Sequence, residues 1–220
     1  MPSYPPTGLD AVTSGLNKLQ QGAMPTDFVL ESSSGKTWNV HKAVLLMHSD
    51  VLFLMATSPN FVESQNGRAV LEDAADRCID VLVDYMYSLS INLRGCFPRY
   101  GVIIDTEVTK SEASFLIGLY RLAHMYNVEA VVHQVLEELV AWFARAGTSI
   151  EIIELLLDAG AEFDSVPSEL QGRLAMEMAR LFDWHPRLDM DKVHSVMQKH
   201  PEFAVDVLHE TLLKNRNRQQ

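Results

Sequence analysis

Apolar residues alternate along two short runs near the front of the chain and fall at helical spacing through most of the remaining sequence. Trp38 and Val40 alternate with Thr37, Asn39 and His41, the period of a half-buried strand. The preceding run, Asp27-Phe28-Val29-Leu30-Glu31, is separated from it by Ser32-Ser33-Ser34-Gly35, residues that tolerate turn dihedrals. The pattern predicts a hairpin with strands at 27–31 and 37–41. Two short helices come next at 43–48 and 50–57, split near Ser49, and Ala69-Val70-Leu71-Glu72 reads as a third strand. Asp73 suits the N-cap of the next helix, because a short carboxylate there can accept from an unpaired backbone N–H.

That next helix carries Ile79, Leu82, Val83 and Met86 at i, i+3, i+4 and i+7, an apolar stripe one face wide. Residues 92–108 break the period with Gly95, Pro98 and Gly101, so the stretch reads as a loop, and Val102-Ile103-Ile104 leaves room for one edge strand. Thr109 and Glu112 have capping-box spacing ahead of Phe115, Leu119, Leu122 and Tyr126. A helix over 129–144 presents Val132, Val135, Leu136, Leu139, Val140 and Phe143, with Gly147 placed to end it. A second capping box, Thr148 to Glu151, opens a helix through Leu157 that stops near Gly160. Leu170, Leu174, Met178 and Leu181 predict a helix over 168–182. Val205, Leu208 and Leu212 predict another over 201–214, opened by Pro201. Ahead of all these, Leu9, Val12, Leu16 and Leu19 share one face of a short N-terminal helix that has little of its own to pack against.

The expected organisation is an α+β front with few strands and an all-helical back: an N-terminal arm over 1–23, an α+β domain over 24–145 and a helical extension over 146–220. The 220 residues are 47% apolar and 21% charged, which places the chain among folded globular proteins rather than disordered ones. A formal net charge of −11 argues against a nucleic-acid partner, whose affinity rests on clustered Lys and Arg, and favours basic partner surfaces. The small basic patch Lys214-Asn215-Arg216-Asn217-Arg218 reads as a solvated tail. Cys78 and Cys96 fit neither a disulfide framework nor a metal site, so reduced thiols and an intracellular setting, nucleus or cytoplasm, are expected. No apolar run is long enough to span a bilayer.

Catalytic motifs are missing from the sequence. It contains no Gly-x-Ser-x-Gly elbow, no phosphate-binding Gly-rich loop ahead of a helix and no His-Glu-x-x-His. The eight histidines lack metal spacing, and Glu137-Glu138 reads as the solvated side of an amphipathic helix. His41, at a strand-to-helix junction, reads as a structural histidine with its ring nitrogens satisfied. No catalytic residue, cofactor or metal is implied, and binding is favoured over catalysis.

The order hairpin, His-Lys, helix pair, strand, helix and further helix pair resembles the BTB/POZ domain. The resemblance is carried by Asp27, Val40-His41-Lys42, Val44-Leu45, Ser49 and Phe53. Phe61-x-Glu63-Ser64, Val70-Leu71, Leu82-x-x-Tyr85-Met86-Tyr87 and Leu122-Ala123-x-x-Tyr126-Asn127-Val128 continue it. It covers about residues 24 to 145, and Pro201-Glu202-Phe203-Ala204-Val205-Asp206 is similar to the helical extension of fungal members.

The resemblance implies a homodimerising adaptor or scaffold. The alternatives are a BTB oligomerisation scaffold or transcriptional co-regulator without ubiquitin-ligase contact and, less favoured, an enzyme whose site is spread through the sequence. The face of Leu9, Val12, Leu16 and Leu19 resembles a dimer-swapped first helix, with an intramolecular dock or a disordered arm as the other readings. Asp27 and Lys42 resemble a charged pair near a two-fold interface, or sit solvated on the rim, where such a pair is worth about 0 to 1 kcal/mol. Phe61-Val62-Glu63 resembles the hydrophobic-x-Glu element by which members that serve ubiquitin ligases bind a cullin scaffold, and Phe61 also suits a core. The expected partners are a second copy, a cullin and a target protein. Any target-binding surface is expected in the helices of 149–214 or the loop of 88–108.

Overall fold

The computed structural model describes residues 8–72, 74–91, 93, 106–146, 150–161, 168–184 and 188–217. They form an α+β fold with one small sheet and many helices. The chain divides into two compact units, Met1–Gly95 with Gly118–Gln134 and Cys96–Ile117 with Val135–Gln220.

In the first unit, α1 (Gly8–Gln20) precedes the hairpin β1 (Phe28–Ser32) and β2 (Thr37–Val40). The strands pair antiparallel, with Phe28 opposite Val40 and Leu30 opposite Trp38. Gly35, at φ 85°, supplies the left-handed residue that their turn needs. The helices α2 (Lys42–His48), α3 (Asp50–Thr57) and α4 (Val62–Asn66) then carry the chain across to β3 (Arg68–Leu71). β3 lies parallel to β1, Leu30 beside Ala69, giving the strand order β2-β1-β3. A parallel neighbour requires such a crossover, which no hairpin turn can provide.

The core of this unit is built from alternate strand residues and one face of each helix. Phe28, Leu30, Val40, Ala69 and Leu71 are buried from the sheet, and Val44, Leu45, Leu52, Ala56, Ile79, Leu82 and Met86 from α2, α3 and α5 (Asp76–Ser88). The α2–α3 break has a local cause. Ser49 is extended (φ −154°, ψ 106°), its hydroxyl accepts from the Leu52 amide at 3.0 Å, and the same hydroxyl donates to the Tyr126 carbonyl. The expected N-cap at Asp73 lies outside the described residues, and the cap position of α5 is Ala75, with no side-chain bond. Ser34, Lys36 and Trp38 reach the first turns of α5 instead: Ser34 Oγ donates to Asp76 at 2.9 Å, and Lys36 Nζ and Trp38 Nε1 donate to Asp80 at 2.7 and 2.8 Å. The Ser32 and Ser34 hydroxyls hold the Asp76 carboxyl below its ordinary range.

The division between the units falls within α6 (Thr106–Met125) and α7 (Glu129–Ala146). α6 begins at Thr106, so the capping-box residue Thr109 lies inside the helix rather than at its start. The expected edge strand at 102–104 and the stops and caps at Gly147 and Thr148 lie outside the described residues.

The second unit adds α8 (Ile150–Ala161), α9 (Ser168–Trp184), α10 (Met190–Lys199) and α11 (Pro201–Asn217). Ile153, Leu156, Leu174, Met178, Val196 and Phe203 are among its buried residues. α8 ends at Ala161, one residue past Gly160, close to its expected stop. α10 was not expected from periodicity, because its apolar stripe is only Val193 and Val196 deep. Its readable signal is Asp189, whose carboxylate accepts from the amides of Asp191 and Lys192 at 3.1 and 3.2 Å. A charged seam joins α8 to α10: Glu151 pairs with Lys192, and Asp158 accepts from Lys199 Nζ at 2.6 Å.

Candidate functional site

The residues singled out from the sequence fall on three places in the first unit. On α1 the predicted face divides. Leu16 is buried and Leu19 half-buried where α1 packs on α5, with Gln20 Nε2 3.4 Å from Asp84 Oδ1, whereas Leu9 is 67% exposed and Val12 is exposed beside it. Docking through two residues leaves the first turns of α1 with apolar side chains in water, a cost that a partner surface removes.

Asp27 and Lys42 come together, through the backbone. Asp27 Oδ1 accepts from the Lys42 amide at 2.8 Å, which satisfies one of the unpaired N–H groups at the start of α2. His41, in the cap position, makes no side-chain cap, so Asp27 caps the helix from a distance in sequence. The Lys42 ammonium lies 5.7 Å from the Phe28 ring centroid.

His41 is buried at the strand-to-helix junction and both ring nitrogens are satisfied. Nε2 is 3.2 Å from the Met24 carbonyl, which can only accept, so Nε2 carries the proton and Nδ1 accepts from the Tyr87 hydroxyl at 2.8 Å. The Tyr87 oxygen in turn accepts from the His41 amide at 3.0 Å. This closed arrangement leaves no lone pair for a ligand. Burial pushes the Tyr87 phenol above its ordinary value, with the Asp27 charge adding to it and the His41 amide opposing.

Phe61, Val62 and Glu63 form the entry to α4. Phe61 occupies the cap position in extended backbone (φ −101°, ψ 134°) and is 42% exposed rather than in the core; Val62 is more exposed still, and Glu63 is partly covered. Gly67, at φ 68°, ends the helix after five residues. Glu63 and Glu72 also bear on Tyr126, whose phenol is pushed up first by burial and then by these two carboxylates.

The sequence pattern did not single out four exposed apolar residues on the neighbouring helices, Leu46, Met47, Val51 and Leu54. A signal for them exists. Ala43-Val44-Leu45-Leu46-Met47 is apolar around the whole helix, and a helix packed on one side must leave part of such a run in water. These surfaces offer apolar contact area and carboxylates. Among the described residues no group of three His, Cys, Asp or Glu could hold a metal. Burial pushes the Cys78 thiol up to about 12, which keeps it protonated and unreactive. No helix among the described residues is long and apolar enough to cross a membrane.

The family model described as BTB/POZ domain matches residues 16–141. No curated protein matches the chain. Among solved structures, the BTB domain of zebrafish PATZ1 is 16% identical, with 62% of this chain and 98% of that one covered and a TM-score of 0.40. The BTB domain of human Gigaxonin is 14% identical, with 63% and 98% covered and a TM-score of 0.42. With more than half of its length matched by the family model, the chain belongs to the BTB/POZ family, whose domains are modules of protein–protein interaction.

Proposed function

We propose that this protein is a homodimerising adaptor, with residues 24–145 as its BTB/POZ domain and 146–220 as a helical extension of the kind found in fungal members. The observation that carries the reading is the exposure of apolar side chains on α1 and α4. Leu9 and Val12 face water on a helix whose other turns are docked, and Phe61 and Val62 face water beside Glu63. The first pair suits a second copy, with Leu16 and Leu19 anchoring the helix and Asp27 and Lys42 at the rim of the contact. The second suits a cullin scaffold, an aromatic in an apolar pocket with a carboxylate for a basic or hydrogen-bonding group. The protein would then join a ligase scaffold to a target held elsewhere on its surface.

Two measurements test this. Light scattering at micromolar concentration should give a dimer mass, lowered to the monomer by Leu9→Asp with Val12→Asp; a monomeric wild type ends the dimer reading. Pull-down from cells should recover a cullin with the wild type and lose it with Glu63→Lys while the dimer persists. Recovery unchanged by Glu63→Lys rules out this mode of cullin binding. Absence of any cullin leaves an oligomerisation scaffold or transcriptional co-regulator.

A further inference from the structure

α11 has two apolar faces and the second unit uses one of them. Phe203 and Val207 are buried, and α11 packs along α9, where Gln171 Nε2 donates to Asp206 Oδ2 at 2.6 Å and Lys214 Nζ to the Ala179 carbonyl at 3.4 Å. The periodic residues that announce this helix in the sequence are the other face. Val205, Leu208 and Leu212, at i, i+3 and i+7, are 66%, 60% and 59% exposed. A continuous aliphatic line of this kind is the seam of a helix pair without its partner.

The charges beside the seam indicate which partner fits. Glu202, His209 and Arg216 recur every seven residues along one flank, and all three are exposed. The flank therefore runs from acid to base, and turned end for end it is its own complement. In an antiparallel pair Glu202 of each copy meets Arg216 of the other, with His209 at the two-fold axis; in a parallel pair like charges would come level. We infer that α11 binds α11 of a second copy of this chain, antiparallel, through Val205, Leu208 and Leu212. This contact is independent of the α1 and α4 surfaces. With three apolar layers it falls short of the roughly 1,200 Å² at which specific, stable interfaces begin, so it acts as a weak, concentration-dependent contact between copies.

Orientation-specific cross-linking of the full chain tests the inference. In a Cys96→Ser background, with Cys78 protected by burial and a thiol at about 12, Val205→Cys and Leu212→Cys proteins of different tag length are mixed and oxidised. The mixed disulfide should exceed either homotypic one several-fold, and should exceed the yield from a control Ser33→Cys on the exposed hairpin turn. Glu202→Arg or Arg216→Glu alone should remove that excess, and the two together should restore it. Dominant homotypic disulfides, a yield no higher than the control, or single reversals without effect would each overturn the inference. Circular dichroism of each variant confirms that these exposed substitutions leave the helices intact.

Discussion

The Tyr87 hydroxyl holds His41 at two points, accepting from its amide at 3.0 Å and donating to its Nδ1 at 2.8 Å. The contact ties the end of the hairpin to α5, forty-six residues on. Tyr87→Phe leaves a buried amide and a buried ring nitrogen without partners, at a cost of about 1–3 kcal/mol for each group stranded. Urea unfolding followed by circular dichroism should show a lowered midpoint with an unchanged slope. An unchanged midpoint would mean that water replaces the hydroxyl without loss.

Asp27 works on the α2 terminus through the Lys42 amide, 2.8 Å away. Asp27→Ala should cost about 0.5–2 kcal/mol, the usual range for a lost cap, and Asp27→Asn should recover most of it because the amide oxygen can accept the same bond. Lys42→Met keeps the backbone donor and should leave stability nearly unchanged. If Asp27→Asn is as damaging as Asp27→Ala, the carboxylate charge matters more than the cap.

Much of the first unit was legible because its signals are local. The strand at 37–40, the helices split at Ser49 and the Ile79, Leu82, Val83 and Met86 stripe occur as their periods predict. Asn127, at φ 53° between α6 and α7, shows why that residue type sits in the family-like Tyr-Asn-Val run: Asn tolerates the left-handed conformation that a bulky side chain resists. Three features were not legible. The parallel pairing of β1 with β3 depends on a crossover through three helices, and strand sequences do not name their neighbours. α4 spans five residues with none buried, too few to show a period. The burial choice on α11 was hidden because Phe203 with Val207 and Val205 with Leu208 and Leu212 both keep helical spacing, and only packing against α9 selects between them. Of the candidate site, exposure of Phe61 and docking of Leu16 needed the packed structure, since either residue type suits core or surface.

Ser49 serves two groups at once, capping α3 through the Leu52 amide and donating to the Tyr126 carbonyl. It is buried, so water cannot substitute readily. Ser49→Ala should therefore cost more than an exposed cap, about 2–3 kcal/mol as the sum of a cap and a stranded carbonyl. Ser49→Thr retains both bonds and should cost less. Hydrogen exchange of the Leu52 amide gives a local check: it should speed up in Ser49→Ala beyond the change in amides of α5.

The seam between α8 and α10 should give the second unit a distinctive pH dependence. Burial alone would raise the Asp158 carboxyl, but hydrogen bonds from Lys199 and His200 outweigh it and hold the group below its ordinary value of 3.8. Lys199 is raised above 10.5, first by its bond to Asp158. A depressed carboxyl stabilises the fold fully above its unfolded value and loses that contribution as pH falls through the folded one. A raised ammonium contributes fully below its unfolded value and loses it as pH climbs through the folded one. The two limits bracket a plateau from above 3.8 to below 10.5. Asp158→Asn keeps the shape and removes the charge, so the wild type should exceed it on the plateau by about 1 kcal/mol or less, the scale of a partly exposed pair. The gap should close at both ends, below the folded value of Asp158 and above that of Lys199, and added salt should narrow it at neutral pH. Urea midpoints of the two proteins measured side by side across pH decide this, and a gap that stays constant through the acid limb would show that Asp158 contributes through shape rather than charge.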